Sequence, residues 1–259
     1  MMKPLRLSLI QTELHWEQPM RNRADLAEKI RPWAGKTDVV ILPEMFTSGF
    51  TLKPDAVAEP LDGETLAWMR EMAAETNAVL TGSMVCAEPD GFRNRLLWVF
   101  PDGHFAQYDK RHLFRMAAED TVYQSGTSRL VVEYQGWRIC PLVCYDLRFP
   151  VWSRNTPMAY DLLIYVANWP KPRVTAWEKL LQARAIENLC YVAGVNRVGV
   201  DGNGLPYSGS SMVADFKGDV LWFGGEAAVT GNVQLDAEAL AMYRQKFPAH
   251  LDADRFRLD

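Results

Sequence analysis

The sequence predicts an α/β protein in which two sheets pack together and are covered by helices. Short apolar runs, typical of buried strands, alternate with amphipathic stretches along most of the 259 residues. Turn sequences between neighbouring strands indicate antiparallel hairpins, which a single open parallel sheet does not contain. No repeat, low-complexity segment or linker divides the chain. We therefore expect one domain over residues 1–259, with 248–259 as a C-terminal arm.

The first half of the chain supplies five predicted strands and two helices. The run DVVIL at 38–42 is continuously apolar, as in strands buried on both faces. A stretch at 101–104, Pro-Asp-Gly-His, predicts the turn of a hairpin. The predicted strands are 5–11, 38–42, 78–84, 95–100 and 105–109, and the predicted helices are 24–33 and 65–76.

The second half of the chain shows the same alternation of predicted strands and helices. Gln135-Gly136 separates two strand candidates, and DLLIYVA at 161–167 is another buried run. Thr175 and Glu178 have the spacing of a capping box at the start of a helix. The predicted strands are 130–134, 137–143, 161–167, 191–198, 211–214 and 220–223, and the predicted helices are 177–189 and 236–246.

Composition excludes several classes of function. The formal net charge is −4, without the basic stripe of a nucleic-acid-binding protein. No apolar run approaches the roughly 20 residues that cross a bilayer, and the N-terminus is too interrupted for a signal peptide. The 4 cysteines are widely spaced and the 4 histidines are scattered, so we expect neither a disulfide framework nor a metal site. We expect a cytoplasmic protein with reduced thiols.

Three polar residues stand directly after predicted strands, where ligands bind in α/β folds. Glu44 follows the buried run DVVILP, Cys144 follows WRICPLV, and Lys110 follows FAQYD. Each also has a structural interpretation. Glu44 could pair with an arginine, Cys144 could be an inert core thiol, and Lys110 could be a solvated surface charge. The residues alone leave both interpretations open.

Three segments link these residues through a family resemblance. LPEMFTSGF (42–50), YDKRHLF (108–114) and CYDLRFP (144–150) resemble the signature blocks of the nitrilase, or carbon–nitrogen hydrolase, superfamily, in that family's order. ANWP (167–170), QARAIEN (182–188) and YVAGVNRVG (191–199) are most similar to the omega-amidase branch. The resemblance covers nearly the whole chain, from about residue 5 to residue 247.

The resemblance implies a four-layer αββα sandwich, and a site without metal or organic cofactor. It implies that Glu44 is the general base and Cys144 the nucleophile. Lys110 and the backbone N–H of Tyr145 would bind the oxyanion. Glu119 lies in a segment similar to the one that bears the family's second glutamate, and it would orient Lys110. A surface acid is the alternative for Glu119.

The chemistry needs an activated thiol, because a free cysteine has a pKa of about 8.5 and holds little thiolate at neutral pH. A carboxylate such as Glu44 accepts a proton more readily in a partly dry site. We expect the charge of Lys110 to favour the thiolate. Attack on an amide would release ammonia and leave a thioester on Cys144, which water then hydrolyses.

Omega-amidases cleave the terminal amide of short α-keto acids, so the resemblance implies 2-oxoglutaramate or 2-oxosuccinamate as substrate. Arg148 is the first candidate for the substrate carboxylate, and an ion pair with Asp146 is the alternative. Thr175 could bind the carboxylate or cap its helix. Phe50 and Trp169 could shape the pocket or simply pack in the core.

Other functions remain open from the sequence. A different short-chain amidase, a nitrilase or an N-carbamoyl hydrolase would use the same three residues. A non-catalytic binding protein of this fold is less favoured, since all three residue types are intact. A papain-like protease would need a histidine beside Cys144. The resemblance implies a homodimer acting on a small-molecule amide, with no nucleic-acid or membrane partner.

Overall fold

Fourteen strands form the framework of the part that the computed structural model describes, residues 3–254 and 256. In chain order they are β1 (Leu5–Gln11), β2 (Val39–Ile41), β3 (Val79–Glu88), β4 (Gly91–Val99), β5 (Phe105–Asp109), β6 (Val132–Tyr134), β7 (Trp137–Val143), β8 (Leu162–Ala167), β9 (Tyr191–Asn196), β10 (Val198–Val200), β11 (Pro206–Ser208), β12 (Met212–Ala214), β13 (Val220–Phe223) and β14 (Val229–Leu235).

Two six-stranded sheets have the orders β14-β1-β2-β3-β4-β5 and β13-β12-β9-β8-β7-β6. Each sheet has three parallel strands in its centre, β1, β2 and β3 in the first and β7, β8 and β9 in the second. Antiparallel strands flank these three on both sides, so both sheets are mixed. The remaining strands, β10 and β11, pair as a small separate hairpin.

Helices cover the outer faces of the sheets. Leu26 and Met69, on α1 and α2, pack with Val40 and Leu80 of the first sheet. Trp177, on α4, belongs to the core of the second sheet. The helices are α1 (Pro19–Ile30), α2 (Glu64–Thr76), α3 (Pro150–Ser153), α4 (Val174–Asn188) and α5 (Ala237–Lys246).

The main core lies between the two sheets. Leu7 and Leu9 of β1 join Leu142 of β7 and Ile164 of β8 in this cluster, all fully buried. Ile10, the residue after Leu9, packs with the helices instead. Each such side chain stabilises the fold by about 1.5–3 kcal/mol relative to exposure. The prediction of an α/β fold with two packed mixed sheets under helices is confirmed.

Two local predictions were wrong. Residues 229–235 form β14, which the sequence did not predict because Gly231 and Asn232 interrupt its pattern, and which pairs with β1 along seven residues. The capping box at Thr175 does not form, because α4 begins earlier, at Val174, with no side-chain cap. Asp236 does cap α5, accepting from the backbone N–H groups of the first turn.

The end of the chain forms a short 3-10 turn, Ala249–Asp252. Residues 1, 2, 255 and 257–259 lie outside the described part, so one domain over 1–259 with an arm at 248–259 stays a prediction. None of the described helices is long and apolar enough to cross a membrane.

Candidate active site

The candidate nucleophile stands at a sharp turn. Cys144 directly follows β7, has a φ of 42° and opens a 3-10 turn, Cys144–Arg148. Asn168 directly follows the parallel neighbour β8, so the two residues lie at the same edge of the sheet. The turn leaves the Cys144 side chain partly exposed, whereas Cys86, Cys140 and Cys190 are buried.

Beside this turn an acid–amine–acid cluster is buried. The Nζ of Lys110, directly after β5, donates to Oε1 of Glu44 at 2.9 Å and to both oxygens of Glu119 at 2.9 Å. The two carboxylates are fully buried and the Lys110 side chain is 1% exposed. The alternatives of a surface lysine and a surface acid at 119 are therefore wrong.

Further hydrogen bonds fix the carboxylate of Glu44. Its Oε1 also accepts from the Asn94 amide at 2.8 Å, and its Oε2 accepts from the backbone N–H of Asn168 at 2.8 Å. Glu119 is held by the backbone N–H of Phe114 at 2.6 Å. These donors hold the two carboxylates in one orientation.

The cluster carries a net negative charge, since two carboxylates surround one ammonium. Burial and then the charge of Glu44 raise the pKa of the Cys144 thiol, and Lys110 opposes them only in part. Burial acts to lower the pKa of Lys110, but the charges of Glu119 and Glu44 outweigh burial, so the pKa is raised overall. Lys110 does favour the thiolate, as expected, but burial and Glu44 outweigh it, so the free site holds a neutral thiol beside an ammonium.

This balance predicts that Cys144 stays protonated at a pH where an ordinary cysteine, with a pKa of about 8.5, is half ionised. We expect the difference in ultraviolet thiolate absorbance between the wild type and Cys144→Ala to stay flat from neutral pH to about pH 9. A thiolate signal that rises below neutral pH would show that Lys110 dominates instead.

Asp146 anchors the turn that carries Cys144. Its fully buried carboxylate accepts from the Val143 N–H at 3.1 Å, from the Tyr108 hydroxyl at 2.7 Å and from the His112 N–H at 3.0 Å. It thus ties this turn to the segment after Lys110. The alternative ion pair between Arg148 and Asp146 is wrong, because these donors occupy the carboxylate.

A cavity of about 300 Å³ opens above the cluster. Arg148 is exposed at the cavity, with its guanidinium carbon 5.0 Å from the Trp169 ring centre. Thr175 is exposed on the first turn of α4 and does not line the cavity, so its predicted contact with a carboxylate gains no support. The predicted site residues in the lining are Phe50, Lys110, Cys144, Tyr145, Arg148 and Trp169.

Sequence reasoning missed three residues of this site. Asn168 follows a buried strand just as Glu44 and Cys144 do, so the same signal identifies it. Asn94 lies inside β4, where only the rarity of a buried amide in a strand marks it. Arg173 lines the cavity from the turn before α4, and no sequence signal singles it out.

No histidine ring hydrogen-bonds to the Cys144 sulfur among the residues that the structure describes; the His112 ring contacts Asp146 at 2.8 Å instead. The papain-like alternative therefore lacks its base. Within residues 3–254 and 256, no cluster of three or more His, Cys, Asp or Glu side chains could hold a metal ion. The arrangement can pass a thiol proton to a buried carboxylate next to a fixed ammonium.

Comparisons with known proteins identify one family. The carbon–nitrogen hydrolase family profile matches residues 6–245. Omega-amidase YafV of Escherichia coli (strain K12) is 48% identical, covering 99% of this chain and 100% of the relative. A 2-oxoglutaramate amidase of Bacillus subtilis (strain 168) is 29% identical, covering 95% and 96%. A CN-hydrolase superfamily protein from Xanthomonas campestris has a TM-score of 0.97 at 50% identity, covering 100% of both chains.

The chain belongs to the carbon–nitrogen hydrolase family, a class of enzymes that act on small molecules. The sequence-based resemblance to the nitrilase superfamily, and within it to the omega-amidase branch, is confirmed by these full-length relatives.

Proposed function

We propose that this protein hydrolyses the terminal amide of a small α-keto acid, 2-oxoglutaramate or 2-oxosuccinamate, to the dicarboxylate and ammonia. One observation carries the proposal. A single cavity contains a thiol backed by an acid–amine–acid cluster and, at its rim, an exposed guanidinium. The first can cleave an amide, and the second can hold a carboxylate. The names of the full-length relatives support the same substrate class.

In the proposed reaction the substrate carbonyl enters beside the ammonium of Lys110. Glu44 takes the thiol proton as the Cys144 sulfur attacks the carbonyl carbon, so the thiolate forms only during the attack. The developing oxyanion accepts from Lys110 and from the N–H of Tyr145. That N–H lies in the first turn of a 3-10 helix, where no carbonyl of the same helix can accept from it. Each such donor is worth about 3–4 kcal/mol in the transition state.

Collapse of the tetrahedral intermediate breaks the C–N bond. The proton held by Glu44 goes to the leaving nitrogen, ammonia departs, and a thioester remains on Cys144. Glu44 then takes a proton from water as the water oxygen attacks the thioester. As the C–S bond breaks, Glu44 returns that proton to the sulfur, which releases the carboxylic acid and restores the thiol. Glu119 holds Lys110 in place throughout through both of its oxygens.

Substrate choice is assigned to the rim of the cavity. Arg148 would pair with the substrate carboxylate, and Phe50 and Trp169 would form the apolar walls. Phe50 also faces the Lys110 ammonium, with its ring centre 5.3 Å away. We also propose that the protein is a cytoplasmic homodimer, and this part of the proposal rests on the family resemblance alone.

A substrate panel tests the proposal. We expect kcat/KM for 2-oxoglutaramate to exceed that for a simple nitrile or an N-carbamoyl amino acid by at least about 100-fold, because a simple nitrile has neither an amide nor a carboxylate, and a carbamoyl compound presents a less electrophilic ureido carbon to the thiol. Ammonia release by the purified protein is the measurement. Faster turnover of a nitrile or a carbamoyl compound would assign the site to that substrate instead, and no turnover at all would favour a binding protein.

A further inference from the structure

Arg173 is a second cation at the cavity that the proposed mechanism does not use. It ends the 3-10 turn Lys171–Arg173, is half-buried and lines the same cavity as Cys144. Its guanidinium carbon lies 5.1 Å from the ring centre of Phe114. Neither Arg173 nor Arg148 forms an ion pair with any carboxylate in the part of the chain that the structure describes.

Direct contacts place the two arginines at one rim. The Arg148 guanidinium lies over Trp169, whose indole N–H donates to the carbonyl of Arg173 at 2.8 Å. On the other side, the Phe114 ring that faces Arg173 is 5.0 Å from the Tyr145 ring. Tyr145 and Arg148 share the turn that begins with the proposed nucleophile. All five of these residues line the cavity, so the contacts link the two arginines along its wall.

Among the residues that the structure describes, no carboxylate of the cavity lining pairs with either of these two cations. Asp201 is the one acid among the lining residues, and its carboxylate is occupied. Its Oδ1 accepts from the backbone of Asn203 at 2.8 Å and of Leu205 at 3.0 Å, and its Oδ2 accepts from the Tyr207 hydroxyl at 3.0 Å. Lys110 is already paired with two glutamates, so its charge is not free for a substrate carboxylate. Two guanidinium groups thus remain for an incoming anion.

We propose that Arg173 is a specificity-determining residue that binds the α-keto carboxylate end of the substrate together with Arg148. This inference rests on the proposed function. A carboxylate with an adjacent ketone presents three acceptor oxygens close together. One edge of a guanidinium donates two parallel hydrogen bonds, so a second donor group is needed for the third oxygen. The aromatic faces beside both arginines leave their N–H edges free to donate. One arginine alone would select a carboxylate, and the pair selects a carboxylate that carries a neighbouring carbonyl.

The Arg173→Met variant tests the inference through a ratio. We expect the ratio of kcat/KM for 2-oxoglutaramate to that for pentanamide, an uncharged amide, to fall about 30-fold, mainly through KM. Arg173→Lys keeps the positive charge but lacks the paired N–H donors of a guanidinium, so it should restore part of the lost kcat/KM ratio. Lys171→Met is the matched control: it removes a charge from the same turn, but Lys171 pairs with the exposed Glu226 and does not line the cavity. Its ratio should not change.

Product inhibition separates this inference from the proposed function. The inhibition constant of 2-oxoglutarate against pentanamide hydrolysis should rise about tenfold or more in Arg173→Met, and this readout does not require turnover of a keto amide. If the wild type fails to hydrolyse 2-oxoglutaramate, the proposed function fails, and the inhibition constant still decides the role of Arg173. An unchanged ratio together with an unchanged inhibition constant would overturn the inference. If kcat/KM fell equally for both amides and the inhibition constant of 2-oxoglutarate did not change, the role of Arg173 would be packing alone.

Discussion

Ammonia release by the Cys144→Ala variant is expected to fall at least about ten-thousand-fold, because loss of a covalent nucleophile removes the whole two-step route. The neighbouring carboxylate and ammonium cannot form the thioester without the sulfur. Ammonia release from 2-oxoglutaramate, with the circular dichroism spectrum as a check on folding, measures this effect. The thiol is small and partly exposed, so the variant should retain the wild-type spectrum.

The matched control is Cys190→Ala. That thiol is fully buried beyond the end of α4 and does not line the cavity. Deleting it creates a small cavity in the core, so we expect a modest loss of stability and nearly full activity. If Cys144→Ala retained activity within about tenfold of the wild type, the covalent mechanism would be wrong.

The second large effect is expected on stability. Lys110→Met should lower the free energy of unfolding by about 3–5 kcal/mol, because it leaves the carboxylates of Glu44 and Glu119 buried without their shared cation. Methionine is unbranched and of similar length, so packing changes little. Urea unfolding of both proteins measures the difference, and activity should be lost as well, since Lys110 is proposed to bind the oxyanion.

The stability deficit of Lys110→Met should depend on pH. Burial raises the pKa of Glu119, and Lys110 opposes this shift, so removing Lys110 raises the pKa of Glu119 further. A carboxyl with a raised pKa in the folded state stabilises the fold below its unfolded pKa, about 4.3, and that contribution is lost as pH rises through the folded pKa. The deficit should therefore be smaller in mild acid than at neutral pH.

A double variant separates charge from packing. Adding Glu119→Gln to Lys110→Met removes one of the two uncompensated charges, so it should restore part of the stability without restoring activity. The control Lys171→Met removes an exposed lysine and should leave the free energy of unfolding nearly unchanged. A Lys110→Met protein within about 1 kcal/mol of the wild type would show that the buried cluster is not charged as described.

Local sequence patterns were sufficient to predict the fold class and the positions of most core strands. Continuously apolar runs such as 38–42 and 161–167 are local patterns that only a doubly covered strand satisfies, and both became central strands, β2 and β8. Strand ends also marked Glu44, Lys110 and Cys144 as candidates, because ligands bind at the ends of buried strands. The family resemblance then linked the three residues.

The pairing of charges could not be predicted in this way, because it depends on contacts between distant segments. Glu119 is a fully buried partner of Lys110, and Asp146 accepts from Tyr108 and His112. Arg148 therefore lies at the cavity without an ion-pair partner among the described residues. The strand β14 likewise forms only because β1, more than 200 residues earlier in the chain, offers it an open edge. Helix and strand periodicity is read over neighbouring residues, whereas the partner of a charge or of an edge strand is set by contacts between distant segments.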